Sequence, residues 1–297
     1  MSAVPMGIAP IEDEEPREGP RLMLVPANLG GSVQHFYHFL LGYMLPFIEH
    51  CHELRHGHRF VLRDCGPMNR LLEQLDDFRI GLTSPHMVLS SVIAANVADG
   101  RLARLIAPGF DHPEAYRRDR FLRVRETMQA LYADRIAAAA ARWPAAASDR
   151  MVLLVDRAPA PAFYQTGASE VRGSGASRRS VPNLAEVQEA LAAVGDTVAV
   201  RLEDCDLFEQ MMLFSRAWRV VGQHGAGLAH MIWARPGAGL VEILPNPQKR
   251  PVPQILHVRY FSGICRTLGL GWKPAIQAHD HAAVPPAAVL EALSALG

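Results

Sequence analysis

The sequence has little of what marks several common protein classes. Its 297 residues include four cysteines, widely spaced and without a CxxC pair, so we expect no disulfide framework, and a reducing compartment fits. The 30 basic and 30 acidic residues cancel, which argues against a nucleic-acid-binding surface as the main purpose. A local basic pocket stays compatible with this balance.

Long apolar runs are also missing. The most apolar stretch, HFYHFLLGYMLPFI at 35–48, contains two histidines and a proline and is shorter than the roughly 20 residues that a membrane span needs. Residues 1–20 are acidic and proline-rich and lack the regions of a signal peptide, so they predict a disordered leader. We therefore expect a cytoplasmic protein without a stable membrane span. The sequence indicates no oligomeric state.

Apolar residues, in contrast, make up 49% of the chain, which is ample for one large domain or two ordinary ones. From residue 151 onward, strand-like apolar segments alternate with helical ones. This alternation predicts an α/β fold with a mostly parallel sheet. The predicted strands are 151–155, 197–201, 218–221 and 240–244, and the predicted helices are 183–194, 206–217 and 226–234.

The first half shows the same alternation less regularly. Asp206 with Glu209, and Asn183 with Glu186, match capping boxes that hold helix starts together. The stretch PAAASDR at 144–150 is typical of a linker between domains. The predicted strands of this half are 21–26 and 59–62, the predicted helices are 32–52, 67–75 and 114–143, and 79–108 receives no assignment.

The stretch GQHGAGLAH at 222–230 places two glycines, Gly225 and Gly227, where a strand becomes a helix. Backbone N–H groups and the positive end of a helix would then face the carboxyl edge of the sheet, where ligands commonly bind. A tight turn without a ligand explains the glycines equally well. His230 replaces the third glycine of a dinucleotide fingerprint, although Glu242 lies roughly where its ribose-binding acid would be. The sequence therefore disfavours a dehydrogenase.

Two arginines, Arg178 and Arg179, end a glycine-rich loop just before the helix predicted to start at Asn183. Paired guanidinium groups suit a diphosphate, because each can form a forked hydrogen bond to phosphate oxygens. A solvated basic loop is the simpler alternative.

The residues His52 to His56 match HExxH, the pattern of zinc proteases. That chemistry needs both histidines on one face of a continuing helix, with a third ligand elsewhere. Gly57 follows at once, and an extended segment begins after it, so the pattern falls on the end of a helix. A zinc hydrolase is disfavoured, and we expect no metal site.

His35 and His38 stand at the start of the first long helix. Either histidine could act as a general base, because an unperturbed imidazole titrates near neutral pH. Packing among the neighbouring phenylalanine and leucine side chains explains them as well.

The order of these motifs resembles glycosyltransferase family 61, which includes bacterial capsular-polysaccharide transferases, plant xylan transferases and animal O-linked sugar transferases. The sharpest match is WRVVGQHGAGLAHMIWARPGAGLVEIL at 218–244, which resembles the family's strand, HGAGL turn, apolar helix and strand ending in V-E-I/L. RRSVPNLAEV from Arg178 resembles its basic pair followed by Asn. HFYHFLLGYMLPFIE resembles its N-terminal histidine segment. The resemblance covers about 28–245.

This resemblance implies a GT-B architecture, in which two Rossmann-like domains face each other across a cleft. It assigns 21–147 to an N-terminal, acceptor-side domain and 148–297 to a C-terminal domain that binds a nucleotide-sugar, with the last helix packing back on the first domain. No cofactor is implied besides the donor. The implied donor-binding residues are Arg178, Arg179, Asn183, His224, Gly225, Ala226, Gly227, Leu228 and Glu242, the last by a ribose hydrogen bond.

Two departures from the family pattern stand out. The family often carries an acidic residue four positions after the N-terminal histidine that His38 matches, whereas Gly42 stands here. The insert between Arg157 and Arg178 also looks longer and looser than usual. Both departures concern the region where an acceptor would react.

The leading hypothesis is an inverting, metal-independent glycosyltransferase that moves a sugar from a nucleotide-sugar, UDP-linked by resemblance, to a glycan or polysaccharide acceptor. His38 is the predicted catalytic base, with Asp64 as the second choice. The alternatives are an inactive nucleotide-sugar-binding module, or another GT-B-shaped enzyme such as a sugar-nucleotide epimerase or a pyruvyl transferase.

Overall fold

The computed structural model describes residues 21–27, 31–83, 102–171, 174–246 and 258–297, and the side chains of 23–27 and 258 are left out of the description. The predicted leader, 1–20, lies outside these residues. Within them, the strands are β1 Arg21–Ala27, β2 Arg59–Arg63, β3 Arg79–Thr83, β4 Leu102–Pro108, β5 Val152–Asp156, β6 Thr197–Arg201, β7 Arg219–Gln223, β8 Gly239–Pro245 and β9 Gly271–Gln277.

The strands form two parallel sheets. The first has the order β3-β2-β1-β4 and the second the order β6-β5-β7-β8-β9, and each pair of neighbours runs parallel. The α/β class and the parallel sheets predicted from the alternating pattern are thus confirmed. In each sheet the strand order reverses direction at one place, between β1 and β4 and between β5 and β7.

The α-helices lie between and beside these strands. Those in the described residues are α1 Phe36–Phe39, α2 Leu45–Cys51, α3 Asn69–Leu72, α4 Arg118–Leu131, α5 Ala133–Ala141, α6 Gly175–Arg178, α7 Leu184–Ala192, α8 Leu207–Arg216, α9 Val258–Leu268 and α10 Pro286–Ser294.

A π-helical turn, Leu40–Met44, joins α1 to α2 inside the helix predicted at 32–52. The N–H of Leu45 donates to Leu40, so the next donor in this register would be Pro46, which has no N–H. The carbonyl of Leu41 is therefore left without a helical partner. It accepts from the N–H of Phe110, 2.6 Å away, just after β4. This bond ties the first helix to the carboxyl end of β4.

The single helix predicted at 114–143 is two helices, α4 and α5. They meet at Tyr132, whose backbone leaves the helical conformation (φ −125°, ψ 27°) and whose buried ring packs 4.9 Å from that of Phe208. The predicted linker at 144–150 begins with a 3₁₀ helix, Pro144–Ala147, in which Ala146 is buried. The start of this segment therefore packs against the rest of the protein, whereas a flexible linker would be exposed to solvent.

The two predicted capping boxes have different outcomes. Asp206 and Glu209 form the reciprocal pair, with N–O distances of 2.8 and 3.0 Å. Asn183 does not cap α7, because its side chain bonds both backbone groups of Val284 at 2.9 and 3.0 Å. That box prediction was wrong, since the residue is used to hold the chain before α10.

The last fifty residues add elements that the sequence pattern did not predict. The strand β9 extends the second sheet beside β8, and α10 packs on α7 and β9. α9 packs on the segment Ala226–Trp233 and on β9, and it also contacts α4 and the 3₁₀ helix Pro113–Ala115 of the first half. There, the hydroxyl of Tyr116 donates to the carbonyl of Tyr260 at 3.2 Å.

One hydrophobic cluster runs through both sheets. It includes Phe60 and Leu62 of β2 together with Leu153 and Val155 of β5. A second cluster covers the opposite face of the second sheet, where Val152 and Leu154 meet α7 and α10. The alternation along β5 follows from the two-residue period of a strand.

The four cysteines are free and buried. Among the described residues, no helix combines the length and the apolar character that crossing a membrane requires.

Candidate active site

The two reversal points define where a ligand can lie. In open parallel sheets, ligands bind beyond the carboxyl ends of the strands at such a point. A cavity of about 410 Å³ lies beyond the reversal point of the second sheet, where residues after β5 and β7 line it, and residues after β1, at 31–38, line it from the first half. Its volume falls in the range of about 300–1,000 Å³ typical of small-molecule sites.

His38 and Asp111 form a hydrogen-bonded pair at the end of the first sheet. The Nδ1 of His38 lies 2.7 Å from Oδ2 of Asp111, and the Asp111 side chain is fully buried while His38 is partly exposed and lines the cavity. Because the carboxylate accepts the Nδ1 proton, neutral His38 keeps its lone pair on Nε2. His38 therefore has the tautomer that a general base needs.

The geometry of this pair depends on the π-helical turn. The bond from Phe110 to Leu41 places Asp111, the next residue, beside the helix that carries His38. A Cβ on Gly109 would lie 3.0 Å from the Cα of Gly42, so the two backbones approach closely. The family resemblance predicts an acidic residue at position 42, where this chain has Gly42. Asp111, which follows β4, supplies a carboxylate to His38 instead.

His35 also lines the cavity, 5.7 Å from His38 between ring centroids. Burial, followed by the charges of His38 and three arginines, lowers its pKa to about 4. Its Nδ1 has no hydrogen-bond partner among the described residues. At neutral pH His35 is an uncharged side chain next to the base.

The glycine turn predicted at 222–230 lies at the end of β7 and lines the cavity. A 3₁₀ helix, Ala226–Trp233, starts there, so the first N–H groups of this helix lack partners within it. A Cβ on Gly225 would lie 2.0 Å from Nη1 of Arg157. Glycine at this position therefore lets the guanidinium lie against the turn.

Arg157 fastens this turn to the loop that follows β5. It donates to the carbonyl of His224 at 3.1 Å and to that of Gly175 at 3.1 and 3.3 Å. Burial, then the charges of Arg179 and Arg178, lower its pKa to about 10, so it stays cationic at neutral pH. Sequence reasoning missed Arg157, although its position directly after an apolar strand was the available signal.

His224 and Glu242 form the second histidine–carboxylate pair. Nδ1 of His224 lies 2.5 Å from one oxygen of Glu242, and the indole N–H of Trp272 donates to the other at 2.7 Å. Glu242 has no exposed surface and is not among the residues that line the cavity. The ribose contact expected of Glu242 is therefore not what the structure shows, because both oxygens are taken and the residue holds His224 instead.

Arg178 and Arg179 both line the cavity. Arg178 is exposed, whereas Arg179 is buried and its Nε donates to Asp280 at 2.9 Å. Asn183 does not line the cavity, since its side chain bonds Val284. Of the predicted basic motif, the two arginines reach the site and the asparagine supports the fold around it.

Asp64, the second choice for the base, lies after β2 and is not among the residues that line the cavity. Its Oδ1 accepts from the N–H of Gly66 and from Nδ2 of Asn69, both at 2.7 Å. These bonds hold the turn that leads into α3.

The segment 157–171 crosses from the second half to the first. The hydroxyl of Tyr164 donates to the carbonyl of Gln34 at 2.7 Å, and the N–H of Glu170 donates to the Gln34 side chain at 2.7 Å. Glu170 also accepts from Ser32 and pairs with Arg63. The segment expected to be loose is thus docked across one side of the cavity.

The HExxH residues lie at the end of α2, as the pattern predicted. His52 lies in the 3₁₀ helix His52–Leu54 that ends α2, and its Nδ1 bonds the carbonyl of Ile48. Among the described residues there is no group of three or more His, Cys, Asp or Glu side chains placed to hold a metal ion. His230 is likewise not a ligand, because it is fully buried between the rings of Phe36 and Phe214.

The family comparison agrees with this geometry. The family described as Glycosyltransferase 61 matches residues 20–241, which is most of the chain. The chain belongs to glycosyltransferase family 61. It is accordingly a glycosyltransferase, which acts on a sugar donor and an acceptor. No curated protein matches the chain.

Proposed function

We propose that this family 61 glycosyltransferase is an inverting, metal-independent enzyme that moves a sugar from a UDP-linked donor to a hydroxyl group of a glycan or polysaccharide. One observation carries the proposal. The cavity is lined by His38, which bonds Asp111, and by the glycine turn and the arginines of the second half. UDP is taken from the family resemblance.

The donor diphosphate is assigned to the second half. Arg157, Arg178 and Arg179 bring three cationic side chains to the cavity beside the first N–H groups of Ala226–Trp233. Guanidinium groups and helix amides both stabilise phosphate oxygens, so together they can stabilise the charge on a leaving diphosphate. This function does not require a divalent cation.

The reaction is a single displacement at the anomeric carbon. Nε2 of His38 takes the proton of the acceptor hydroxyl as the oxygen attacks. The bond between the anomeric carbon and the phosphate oxygen breaks, and its electron pair leaves with the diphosphate. Asp111 holds the imidazolium that forms. Attack from the side opposite to the leaving group inverts the anomeric configuration.

This assignment gives the chain a GT-B organisation, with the acceptor side in 21–147 and the donor side in 148–297. The lining of the cavity supports it, because residues that follow β1 in the first half and β5, β6 and β7 in the second half meet there. Residues from both halves are then needed for one turnover.

The decisive experiment incubates the protein with a panel of UDP-sugars and glycan acceptors, and follows UDP release and the anomeric configuration of the product by NMR. We expect acceptor-dependent UDP release and an inverted product, both lost in His38→Ala. Conversion of the UDP-sugar without an acceptor would instead indicate an epimerase. Binding of UDP without turnover on any acceptor would indicate a binding module.

A further inference from the structure

The second sheet orders the groups that line this cavity. Arg157 follows β5, which lies between β6 and β7, so it stands between Glu203, after β6, and the glycine turn, after β7. His38 lines the cavity from the first half of the chain. If the diphosphate binds the arginines and the sugar faces His38, the remaining end of the cavity is left for the nucleoside.

Glu203 lies in the 3₁₀ turn Leu202–Asp204 at the carboxyl end of β6, next to β5 in the sheet. Two donors fix this turn through the carbonyl of Leu202, Nε2 of Gln210 at 2.7 Å and Nη2 of Arg70 at 3.4 Å. Glu203 itself is exposed and lines the cavity. Within the described part of the chain, no hydrogen bond or ion pair occupies its carboxylate.

Gln210 provides a second, independent observation at the same end. It lines the cavity and is 1% exposed, and its Nε2 donates to the carbonyls of Leu202 and Cys205. Two carbonyl partners fix which end of the amide is the nitrogen. Its Oε1 is left as a buried acceptor without a partner among the described residues. A buried acceptor in this state is satisfied by an N–H donor, such as the one that a uracil base carries.

We propose that the turn Leu202–Asp204 and Gln210 form the nucleoside end of the cavity, and that the Glu203 carboxylate accepts hydrogen bonds from the ribose hydroxyls. This inference rests on the proposed function and names its ribose-binding residue. Carboxylates at the end of a strand bind ribose in this way in other nucleotide-binding α/β folds. Glu242, the acid expected to do so, is fully buried with both oxygens occupied.

The test compares UDP with 2′,3′-dideoxy-UDP by calorimetry. The wild type should bind UDP about 10- to 100-fold more tightly, the effect of a hydrogen bond to a charged group. Glu203→Gln should lose most of this preference while its affinity for dideoxy-UDP and for inorganic pyrophosphate stays the same or rises. Asp204→Asn is the matched control, because Asp204 is exposed on the same turn and does not line the cavity.

The outcomes separate the two proposals. If UDP binds and the preference for ribose is absent, or persists in Glu203→Gln, the nucleoside assignment is overturned and the diphosphate site stands. If GDP, CDP or TDP binds and UDP does not, the UDP donor is wrong, and equal binding of that nucleotide and its dideoxy analogue overturns the role of Glu203. If none of the four nucleotides binds, the proposed function and this inference both fail. Thermal unfolding of each variant shows that it is folded.

Discussion

Nδ1 of His38 and Oδ2 of Asp111 lie 2.7 Å apart, although 73 positions separate them in the sequence. The first residue lies on the first helix and the second follows β4, so only the fold brings them together. The contact makes Asp111 the residue that sets the tautomer and the orientation of the proposed base.

Asp111→Asn should therefore lower kcat by roughly 100- to 10,000-fold, the usual contribution of a positioned base, and leave the Kd for UDP unchanged. His38→Ala should show the same loss. Because the two residues act as a unit, the double variant should be no slower than His38→Ala alone. Multiplicative losses in steady-state kinetics would mean that the residues act separately.

Gly225→Ala should weaken UDP binding by about tenfold or more. The new Cβ would lie 2.0 Å from Nη1 of Arg157, so the guanidinium must leave the turn that it holds. Gly57→Ala is the control, since a Cβ there meets no atom within 4 Å. Calorimetry with UDP measures both variants. Equal affinities would show that the contact between Arg157 and the turn does not serve the donor.

Glu242→Ala should reduce the free energy of unfolding by about 2–6 kcal/mol, because it leaves two buried N–H donors without an acceptor and each costs about 1–3 kcal/mol. His224 and Trp272 would each lose the acceptor that now holds a ring N–H. Urea unfolding at pH 7 measures the change. Glu189→Ala, at an exposed position of α7, should stay within about 0.5 kcal/mol of the wild type. A similarly small effect of Glu242→Ala would contradict the role of Glu242 as the buried acceptor for His224 and Trp272.

His230 should make stability depend on pH. Burial lowers the pKa of His230 to about 3, whereas an ordinary histidine has a pKa of 6.5. Between these two pH values the unfolded chain therefore binds a proton that the native protein does not bind. The contribution of neutral His230 to the free energy of unfolding is therefore fully present above pH 6.5. It is lost as the pH falls, by about 1.4 kcal/mol per pH unit. His230→Gln, which keeps an acceptor, should flatten the slope between pH 6.5 and 5 by this amount. The exposed turn variant Gly57→Ala should not change it.

Removal of divalent metals should leave transfer activity intact, because the proposed charge stabilisation comes from arginines and amides. Dialysis against a chelator, followed by the UDP-release assay, checks this.

His52→Gln with His56→Gln should also retain activity, while reducing any nickel or zinc that the histidine-rich surface retains. Loss of activity on chelation, restored by Mg²⁺ or Mn²⁺, would overturn the metal-independent mechanism.

The second half of the fold could be predicted because short apolar strands, such as β5 with the run 152–155, alternate with helices of clear period. The first long helix was predicted as one element. Its π-helical turn was not, because it depends on a hydrogen bond between Leu41 and Phe110. The break at Tyr132 likewise follows from a tertiary contact with Phe208.

Some site residues could likewise be predicted from local sequence, and others depend on contacts between distant parts of the chain. The glycine turn and Arg178 could be found from local pattern, since strand-to-helix glycines and paired arginines have a chemical meaning by themselves. Asp111 could not, because its partner, His38, lies 73 positions away. Arg157 had a local signal in its place directly after an apolar strand, but its bond to His224, 67 positions away, could not be predicted. Glu242 was found by its place in a motif, but its role as the partner of His224 depends on burial.

The hydrophobic cluster that runs through both sheets has a consequence for the chain as a whole. Separating the halves would expose the apolar side chains on which both depend, at a cost set by the area uncovered. Heating should therefore melt the protein in one calorimetric transition, and neither 21–147 nor 148–297 expressed alone should give a folded product. Such a chain behaves as one cooperative unit even though its catalytic groups come from two sheets.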